Sequence, residues 1–335
     1  MIALDAMGGD KAPAINVLGA INAAKKGLAI GLFGDQQVLE ALLNQYDKQH
    51  KGNWRNLPIT LFHCTQTISM TDEPARAVMK KRDASLIRAI ESVVAGTAHA
   101  VVSAGNSGAV LVAGTLLSGR VKGVLRPAIG TFLPTKQSQL FCLDIGANTD
   151  CKSEYFEQFA LMGHVYVQHV KGIQNPRIAL LSNGQEPYKG SLLTKQAYGL
   201  LEANKKINFV GSLQGRDIFD DQADVLVCDG FAGNVLLKTA QGMAGVISYW
   251  LKQESSKSVI KKLMGAMSLP LFNAVKRKTD YARTGGALLL GVNHPILIAH
   301  GHSDERAIEQ ALWHAHEVVQ LRFLSSFNQE LVGLL

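Results

Sequence analysis

The feature that most constrains this chain is a repeated order of a short apolar strand, a turn of Gly with Asn, Asp or Ser, and an amphipathic helix. Helix-length connections between consecutive strands favour parallel pairing. We therefore predict an α/β protein in three layers, α/β/α, with a largely parallel sheet covered on both faces. The predicted strands are 2–5, 29–33, 59–63, 100–103, 140–144, 178–181, 208–211, 225–229 and 296–299, with helices over 14–26, 85–95 and 154–170 among others.

One segment departs from this order, because residues 231–278 contain no strand candidate and are expected to be helical. Its stretch "SVIKKLMGAMSLPLFNAVKRK" (258–278) places apolar residues at helical spacing, and Pro270 interrupts it. We predict a protruding helical hairpin over 250–280 within a single catalytic domain, 1–335. Its apolar residues are Ile260, Leu263, Met264, Met267, Leu271 and Phe272, and its basic rim is Lys261, Lys262, Lys276 and Arg277.

Two uses of this hairpin remain open at the level of sequence. Most amphipathic helices pack in a core or against a second copy. The basic rim equally fits reversible contact with an anionic membrane surface, or with an acidic carrier that delivers an apolar tail.

Charge and cysteine content narrow the class of protein. The net charge of +7, from 34 Lys and Arg against 27 Asp and Glu, favours acidic partners such as phosphorylated substrates, anionic lipid, an acidic protein or nucleic acid. The four cysteines form no CxxC pair, which favours free thiols in a reducing cytoplasm. An acid at the fifth residue argues against a signal peptide, and no apolar run of ~18 residues predicts a membrane span.

Five turns share one layout, in which Gly with Asn, Asp or Ser follows the end of an apolar strand. In an open parallel sheet such loops lie at the carboxyl ends of strands, where these folds bind ligands. Glycine lets backbone amides approach a ligand closely, and helix N-termini hold anions. One such turn alone is an ordinary capped connection, but five together predict a phosphate site. They are "LDAMGGD" (4–10), "VSAGNSGA" (102–109), "LDIGANTD" (143–150), "LLSNGQEP" (180–187) and "VCDGFAGN" (227–234).

Several familiar catalytic and nucleotide-binding motifs are absent from the sequence. No two glycines are separated by one residue and no Gly-Lys pair occurs, so neither a dinucleotide fingerprint nor a Walker loop is present. "GNSGA" lacks the last glycine of a nucleophile elbow, which favours a helix cap over an acyl-enzyme serine at Ser107. There is no HExxH, and the "HAH" at 314–316 points its rings to different helix faces. We predict neither a metal nor a cofactor.

Taken in order, these loops resemble one family over essentially the whole chain: the bacterial phosphate acyltransferases that make acyl phosphate from acyl-acyl carrier protein. The motifs that carry the resemblance are "DAMGGD" (5–10), "TDEPARAVMKKRDASL" (71–86), "VSAGNSGA", "LDIGANTD", "DGFAGNVLLKT" (229–239) and "GGALLLGVNHPILIAHGHSD" (285–304). Two positions depart from the family pattern: Ala84 stands where a serine is frequent, and Thr284 where a tyrosine is common.

The resemblance implies a fold similar to the isocitrate and isopropylmalate dehydrogenases and the phosphotransacetylases, without a nucleotide cofactor. It also implies a cytoplasmic homodimer attached peripherally to an anionic membrane surface. Its partners would be acyl-acyl carrier protein and inorganic phosphate, with no nucleic acid, and its product would serve phospholipid synthesis.

Inorganic phosphate held close to a thioester is itself a competent nucleophile, so no acyl-enzyme is required. The predicted phosphate-binding residues come from the five turns: Gly8, Gly9, Asp10, Ser103, Asn106, Ser107, Asn148, Gly184, Gly230 and Asn234. Three residues are predicted to be catalytic. His300 either protonates the leaving thiolate or is structural. Lys189 either reaches phosphate or stays a surface lysine, and Asp229 either orients amides or accepts a proton from phosphate.

Two other functions are compatible with parts of the sequence. A metal- and NAD-dependent hydroxyacid dehydrogenase shares the expected fold, although the sequence shows no clear ligand cluster or nucleotide pocket. A non-enzymatic basic scaffold at a membrane surface would explain the charge, but it has no need of five glycine loops.

Overall fold

The computed structural model describes residues 1–256, 285–321 and 323–335. The predicted hairpin is therefore described only in its first part. Its apolar and basic residues between Ile260 and Arg277 lie outside the described residues.

The described strands form one mixed sheet. Seven of its ten neighbouring strand pairs are parallel, and the order across it is β3-β2-β1-β4-β11-β10-β5-β6-β9-β7-β8. The strands are β1 Ile2–Asp5, β2 Ile30–Gly34, β3 Ile59–His63, β4 Ala100–Ser103, β5 Ala128–Pro134, β6 Gln139–Leu143, β7 Arg177–Leu181, β8 Asn208–Leu213, β9 Val225–Val227, β10 Ala287–Leu290 and β11 Ile296–Ile298.

Three antiparallel pairs in the middle reverse the direction of the sheet. β11 pairs antiparallel with β10, β10 with β5 and β5 with β6. Strands β1, β2, β3, β4 and β11 consequently point one way, and β6, β7, β8 and β9 point the other. The carboxyl ends of the two halves leave the sheet at different ends of the strands.

Helices cover both faces, so the predicted three-layer α/β/α arrangement is confirmed. Side chains alternate along each strand, so that Ile2 and Leu4 of β1 enter one buried cluster and Ala3 enters the other. The described helices are α1 Ala14–Lys25, α2 Gln36–His50, α3 Pro74–Lys80, α4 Ser85–Val94, α5 Ser107–Ala113, α6 Ser153–Lys171, α7 Leu192–Ala203, α8 Gly230–Ser256, α9 Glu305–Gln320 and α10 Phe323–Leu334.

Every predicted strand is present, with ends within two residues of the expected ones. The sequence prediction missed β5 and β10, both in the antiparallel centre. The β5 stretch "AIGTFLP" follows a proline and contains a glycine, and "ALLL" of β10 follows two glycines. Each is a short apolar run interrupted or preceded by turn residues, which obscures the strand signal.

The long helix α8 leaves the body of the protein as it proceeds. Its second half exposes large apolar side chains, with Met243 at 54%, Ile247 at 48%, Tyr249 at 62% and Trp250 at 56% exposure. None of the helices in the described ranges is both long and apolar enough to cross a bilayer.

Partly buried histidines give the folded chain an expected sensitivity to acid. His314 on α9 lies 3.1 Å from the carbonyl oxygen of Gly285 through its Nδ1, and burial lowers its pKa. Burial also lowers the pKa of His164 and of His294. Because the unfolded value is ~6.5, the unfolded chain binds these protons first as the pH falls.

We therefore expect the free energy of unfolding to be greatest above about pH 6.5 and to be lost as the pH falls through the lower folded-state values. Urea unfolding at a neutral and a mildly acidic pH measures this loss. The His314→Gln variant should lose less on acidification than the unchanged protein. Equal loss in both would remove His314 from the explanation.

Candidate phosphate site

Three strand ends meet in what we call the first loop group, residues 6–10, 104–108 and 299–304 after β1, β4 and β11. A Cβ added at Gly8 would lie 2.5 Å from Asp5 Oδ2 and 2.8 Å from the Gly105 amide nitrogen, so only glycine fits there. Gly9 has a φ of +112°, and a Cβ on it would lie 3.4 Å from the Gly301 oxygen. The loops therefore touch through backbone, which keeps their amides close together.

Asp5 holds the base of this group in place. Its carboxylate accepts hydrogen bonds from Ser85 Oγ at 2.6 Å and Ser103 Oγ at 2.7 Å. Burial raises its pKa, and the hydrogen bonds from Ser85 and Ser103 oppose that rise. Ser103 is fully buried and also accepts from the Gly105 amide at 3.1 Å. Its hydroxyl therefore already donates to Asp5 and accepts from Gly105, and the predicted contact of Ser103 with phosphate stays a prediction.

Asn106 caps the next helix instead of presenting its amide to a ligand. Its Oδ1 accepts from the Ala109 amide at 3.1 Å, and its Nδ2 donates to the carbonyl oxygens of Met70 and Asp72 at 3.3 and 3.1 Å. Both side-chain hydrogens are used, so the prediction that phosphate lies at Asn106 depends on the backbone amides around it and stays a prediction. The amides of Ser107 and Gly108 begin α5 and have no acceptor within the helix. Ser107 is exposed, so the first backbone amides of α5 are the hydrogen-bond donors that this loop offers to a ligand.

Charged and titratable groups line the outer side of the first loop group. Asp10 Oδ2 lies 2.5 Å from His302 Nδ1, and the Asp10 amide donates to the Gly301 oxygen at 2.9 Å. His300 Nε2 lies 3.3 Å from Lys238 Nζ on α8. Burial, and then the neighbouring Lys238 charge, lowers the pKa of His300. His300 is therefore mainly neutral near pH 7.

A second loop group, 144–150 and 228–234, follows β6 and β9 and is built around Asp144. This fully buried carboxylate accepts from the amides of Ile129, Gly146, Ala147 and Asn148, and from Asn148 Nδ2, over 2.7 to 3.1 Å. Burial raises its pKa, and these hydrogen bonds oppose the rise.

Asn148 is fully engaged inside the second loop group. Its Nδ2 donates to the Pro127 oxygen at 2.8 Å as well as to Asp144, and its carbonyl oxygen accepts from the Gly230 amide at 2.7 Å. With both side-chain hydrogens donated, it cannot also donate to phosphate through its amide group. The prediction that phosphate lies among the backbone amides around Asn148 stays a prediction.

The second loop group also starts α8. Asp229 Oδ1 accepts from the Ala232 amide at 2.8 Å, which makes Asp229 a helix cap. Gly230 and Gly233 leave no room for side chains against Asn148 and Asp144. Asn234 is exposed, and its side chain lies beside Gly146. Asn234 is thus the polar side chain that this group offers to solvent from the start of α8.

Gly184 and Lys189 lie in a separate loop after β7. A Cβ at Gly184 would lie 2.6 Å from Lys189 Cγ, so the two predicted residues touch each other. Lys189 is exposed.

The five turns do not lie at one edge of the sheet, as the sequence suggested, because the antiparallel centre reverses β6, β7 and β9. Neighbouring strands rotate by roughly 20–25°, so the five steps from β1 to β6 turn the strand direction by on the order of 100°. The two groups of carboxyl ends are then no longer directly opposed. The helix α8 joins them, since it begins in the second loop group and brings Lys238 to His300 in the first.

Sequence reasoning missed four residues that organise this region. They are Asn16, Asp144, Lys238 and His302. Asn16 is buried on α1 and donates to the oxygens of Ala6 and Gly8 at 3.0 and 2.8 Å. The sequence signal that could have identified Asn16 is a polar residue on an otherwise apolar helix face. Asp144, Lys238 and His302 all lie in motifs quoted above, but no sequence signal gave any of them a role.

The chain matches a family model described as "Fatty acid synthesis protein" over residues 1–326. A curated relative from Dictyoglomus turgidum, named "Phosphate acyltransferase", is 43% identical over 96% of this chain and 94% of its own length.

Solved structures share the fold at low identity. A phosphotransacetylase from Streptococcus pyogenes superimposes with a TM-score of 0.62 at 17% identity, over 95% of this chain and 94% of its own. A 4-hydroxythreonine-4-phosphate dehydrogenase from Klebsiella pneumoniae gives 0.52 at 14%, over 96% and 99%. The predicted kinship with phosphotransacetylase folds is confirmed. Since a dehydrogenase shares the fold too, fold alone does not separate acyl transfer from oxidation.

Proposed function

Since this chain belongs to the fatty acid synthesis protein family and is an acyltransferase, we propose that it moves a fatty acyl group from acyl-acyl carrier protein to inorganic phosphate. The products are acyl phosphate, for phospholipid synthesis, and the free carrier thiol. The observation that carries the proposal is the first loop group. It combines the first amides of α5 with His300 and Lys238, beside a helix that continues as an exposed apolar surface.

We place the phosphate against the first backbone amides of α5, in the first loop group. Backbone amides at Gly9, Ser107 and Gly108 and the cation of Lys238 hold its oxygens next to the thioester carbonyl. Holding two reactants in attack geometry supplies on the order of 7 kcal/mol or more of the barrier. Amide donors also stabilise the oxyanion that develops at the carbonyl. The protein needs no covalent nucleophile, because phosphate attacks directly.

The carrier protein approaches over a basic surface. Arg76 and Lys80 on α3, and Arg82 after it, are exposed. The helix α3 begins at Pro74, which lies against Gly108 at the start of α5. An acidic carrier would be steered to this surface, with its acyl chain lying along the apolar side of α8.

Lys189 and Asn234 are proposed at the rim of the same site, and Asp229 acts through its cap on α8. We also propose that the chain is a cytoplasmic homodimer attached peripherally to anionic membranes. The exposed apolar side chains of α8 support contact with a second copy, and the basic and apolar residues of 258–278 support contact with lipid.

Deleting residues 258–278 is expected to abolish binding to anionic vesicles while acyl phosphate formation continues. Acyl phosphate formation should continue because the loops proposed to bind phosphate lie outside the deleted segment. Vesicle co-sedimentation and thiol release are measured on the same preparation. Retained vesicle binding would move the membrane contact elsewhere.

Incubation with acyl-acyl carrier protein and phosphate tests the activity itself, with free carrier thiol as the signal. The dehydrogenase alternative predicts NADH from NAD and a hydroxyacid in the presence of a divalent metal. The scaffold alternative predicts neither product. Thiol release that requires phosphate supports acyl transfer over both.

A further inference from the structure

Residues 65–85 connect β3 to α4 and form a loop whose two ends are joined by hydrogen bonds; we call it the α3 loop. The Gln66 amide donates to the carbonyl oxygen of Asp83, and the Ser85 amide donates to that of Gln66, both at 3.2 Å. Thr65 donates to Asp83 Oδ2 from its amide at 2.8 Å and from its hydroxyl at 2.6 Å. The base of the α3 loop is therefore held closed.

The far end of the α3 loop contacts the first loop group. Asn106 Nδ2 donates to the carbonyl oxygens of Met70 and Asp72 at 3.3 and 3.1 Å. A Cβ added at Gly108 would lie 2.7 Å from Pro74 Cγ, so the two backbones pack closely there. The position of the loop after β4 consequently depends on the α3 loop.

Lys81 joins the two sides of the α3 loop from within. Its Nζ donates to Asp72 Oδ2 at 2.5 Å and to the carbonyl oxygen of Thr67 at 2.9 Å. Asp72 Oδ2 also accepts from the Ser69 amide at 2.8 Å. The hydrogen bond from Lys81 holds the pKa of Asp72 below its usual value, so Asp72 is a carboxylate at neutral pH. One ammonium group thus holds the segment whose carbonyl oxygens accept from Asn106.

The basic run at residues 80–82 therefore contains cations in two different environments. Lys80 and Arg82 are exposed, whereas the side chain of Lys81 is 33% exposed and that of its partner Asp72 is 26% exposed. A fully exposed ion pair contributes little, because solvent screens it. Here both partners are half-buried and each makes a second hydrogen bond within the same loop, which is the arrangement that gives an ion pair structural weight.

We propose that Lys81 is a positioning residue for phosphate, because it sets the place of residues 104–108 through Asp72 and Asn106. This inference rests on the proposed acyl transfer, which assigns phosphate to the first loop group. Without the ammonium group, the Asp72 carboxylate loses its partner, and the carbonyl oxygens that accept from Asn106 are no longer held. Residues 104–108 then lose their fixed position and phosphate affinity falls. Lys81 itself is assigned no contact with either substrate.

The test compares Lys81→Met with the unchanged protein by calorimetric titration of the full chain with inorganic phosphate, and by steady-state kinetics. We expect the phosphate dissociation constant and the KM for phosphate to rise about fivefold or more. The KM for the acyl carrier, and kcat at saturating phosphate, should change by less than about twofold. Lys81→Arg keeps the cation and should recover most of the phosphate affinity.

A second variant breaks the same ion pair from the other side. Asp72→Asn removes the charge that Lys81 binds and should weaken phosphate binding to a similar extent. Because the two residues share one interaction, the variant with both changes should bind phosphate no more weakly than the weaker of the two single variants. Asp72→Asn also decides the question if Lys81→Met does not fold.

Two other lysines provide the controls. Lys26→Met breaks an ion pair of the same length, 2.5 Å to Glu309 Oε1, at the end of α1 away from the first loop group. It should lower the free energy of unfolding and leave the phosphate dissociation constant unchanged. Lys80→Met removes the exposed neighbouring cation and should raise only the KM for the carrier.

Full phosphate affinity in Lys81→Met or in Asp72→Asn would overturn the inference. A raised carrier KM with full phosphate affinity in Lys81→Met would also overturn it, because Lys81 would then belong to the carrier surface. Thiol release separates this failure from failure of the proposed function. If the unchanged protein releases carrier thiol only with phosphate, acyl transfer stands and the role of Lys81 falls. If release ignores phosphate, the proposed function falls as well.

Discussion

The Gly9→Val variant is expected to need about tenfold more phosphate, or greater, for half-maximal acyl transfer. A side chain at a φ of +112° costs about 1–3 kcal/mol of backbone strain, and each ~1.4 kcal/mol is a factor of ten in affinity. The Cβ of a valine at position 9 would also lie 3.3 Å from Ala104 Cβ. The loop must therefore shift, and the amide positions shift with it. The rate as a function of phosphate concentration measures the effect.

Gly27→Val is the matched control, because Gly27 also has a positive φ, +92°, but nothing within 4 Å of an added Cβ. It follows α1 at the other end of the helix from the first loop group. It should lose stability and keep the phosphate dependence of the unchanged protein. An unaltered phosphate requirement in Gly9→Val would remove this loop from the site.

The Asp144→Ala variant is expected to lose at least about 3 kcal/mol of unfolding free energy. The side chain accepts five hydrogen bonds in a fully buried position. Removing it leaves several buried N–H donors without an acceptor, and each costs about 1–3 kcal/mol. This cost is larger than the free energy gained because the folded protein no longer buries a carboxylate. Urea unfolding followed by circular dichroism gives the difference.

The Asp35→Ala variant is the reference for the size of this loss of unfolding free energy. Asp35 caps α2 with one hydrogen bond to the Val38 amide at 3.1 Å, near the surface, and its loss should cost about 1 kcal/mol. If Asp144→Ala costs no more than Asp35→Ala, the buried carboxylate does not organise the second loop group as described.

Much of the fold was predictable because the periodicity of the strands is local. Apolar runs ending at Gly, Asp or Ser marked β1, β4 and β7 within a residue or two. Strand direction is not a local property. The reversal arises from β5 and β10, whose pairing partners are distant in sequence. The prediction of one common edge for the five turns failed for that reason.

The candidate site was predictable only at the level of loops. Gly8 and Gly9 stand out because glycine pairs in turns signal unusual backbone. The residue type of Asn106 or Asn148 does not reveal where its hydrogens go, and both side chains turn inward to carbonyl oxygens. Lys238 lies two turns inside a helix, away from any turn signal. Only the packing of α8 against the β11 loop brings it to His300.

The most direct test of the account is a paired count of products from acyl-acyl carrier protein, with and without inorganic phosphate. Acyl phosphate is followed by phosphorus NMR and the carrier thiol by a colorimetric reagent. The account predicts one acyl phosphate for each thiol released, and no thiol above background when phosphate is omitted. Thiol released at the same rate without phosphate, or without matching acyl phosphate, would contradict it.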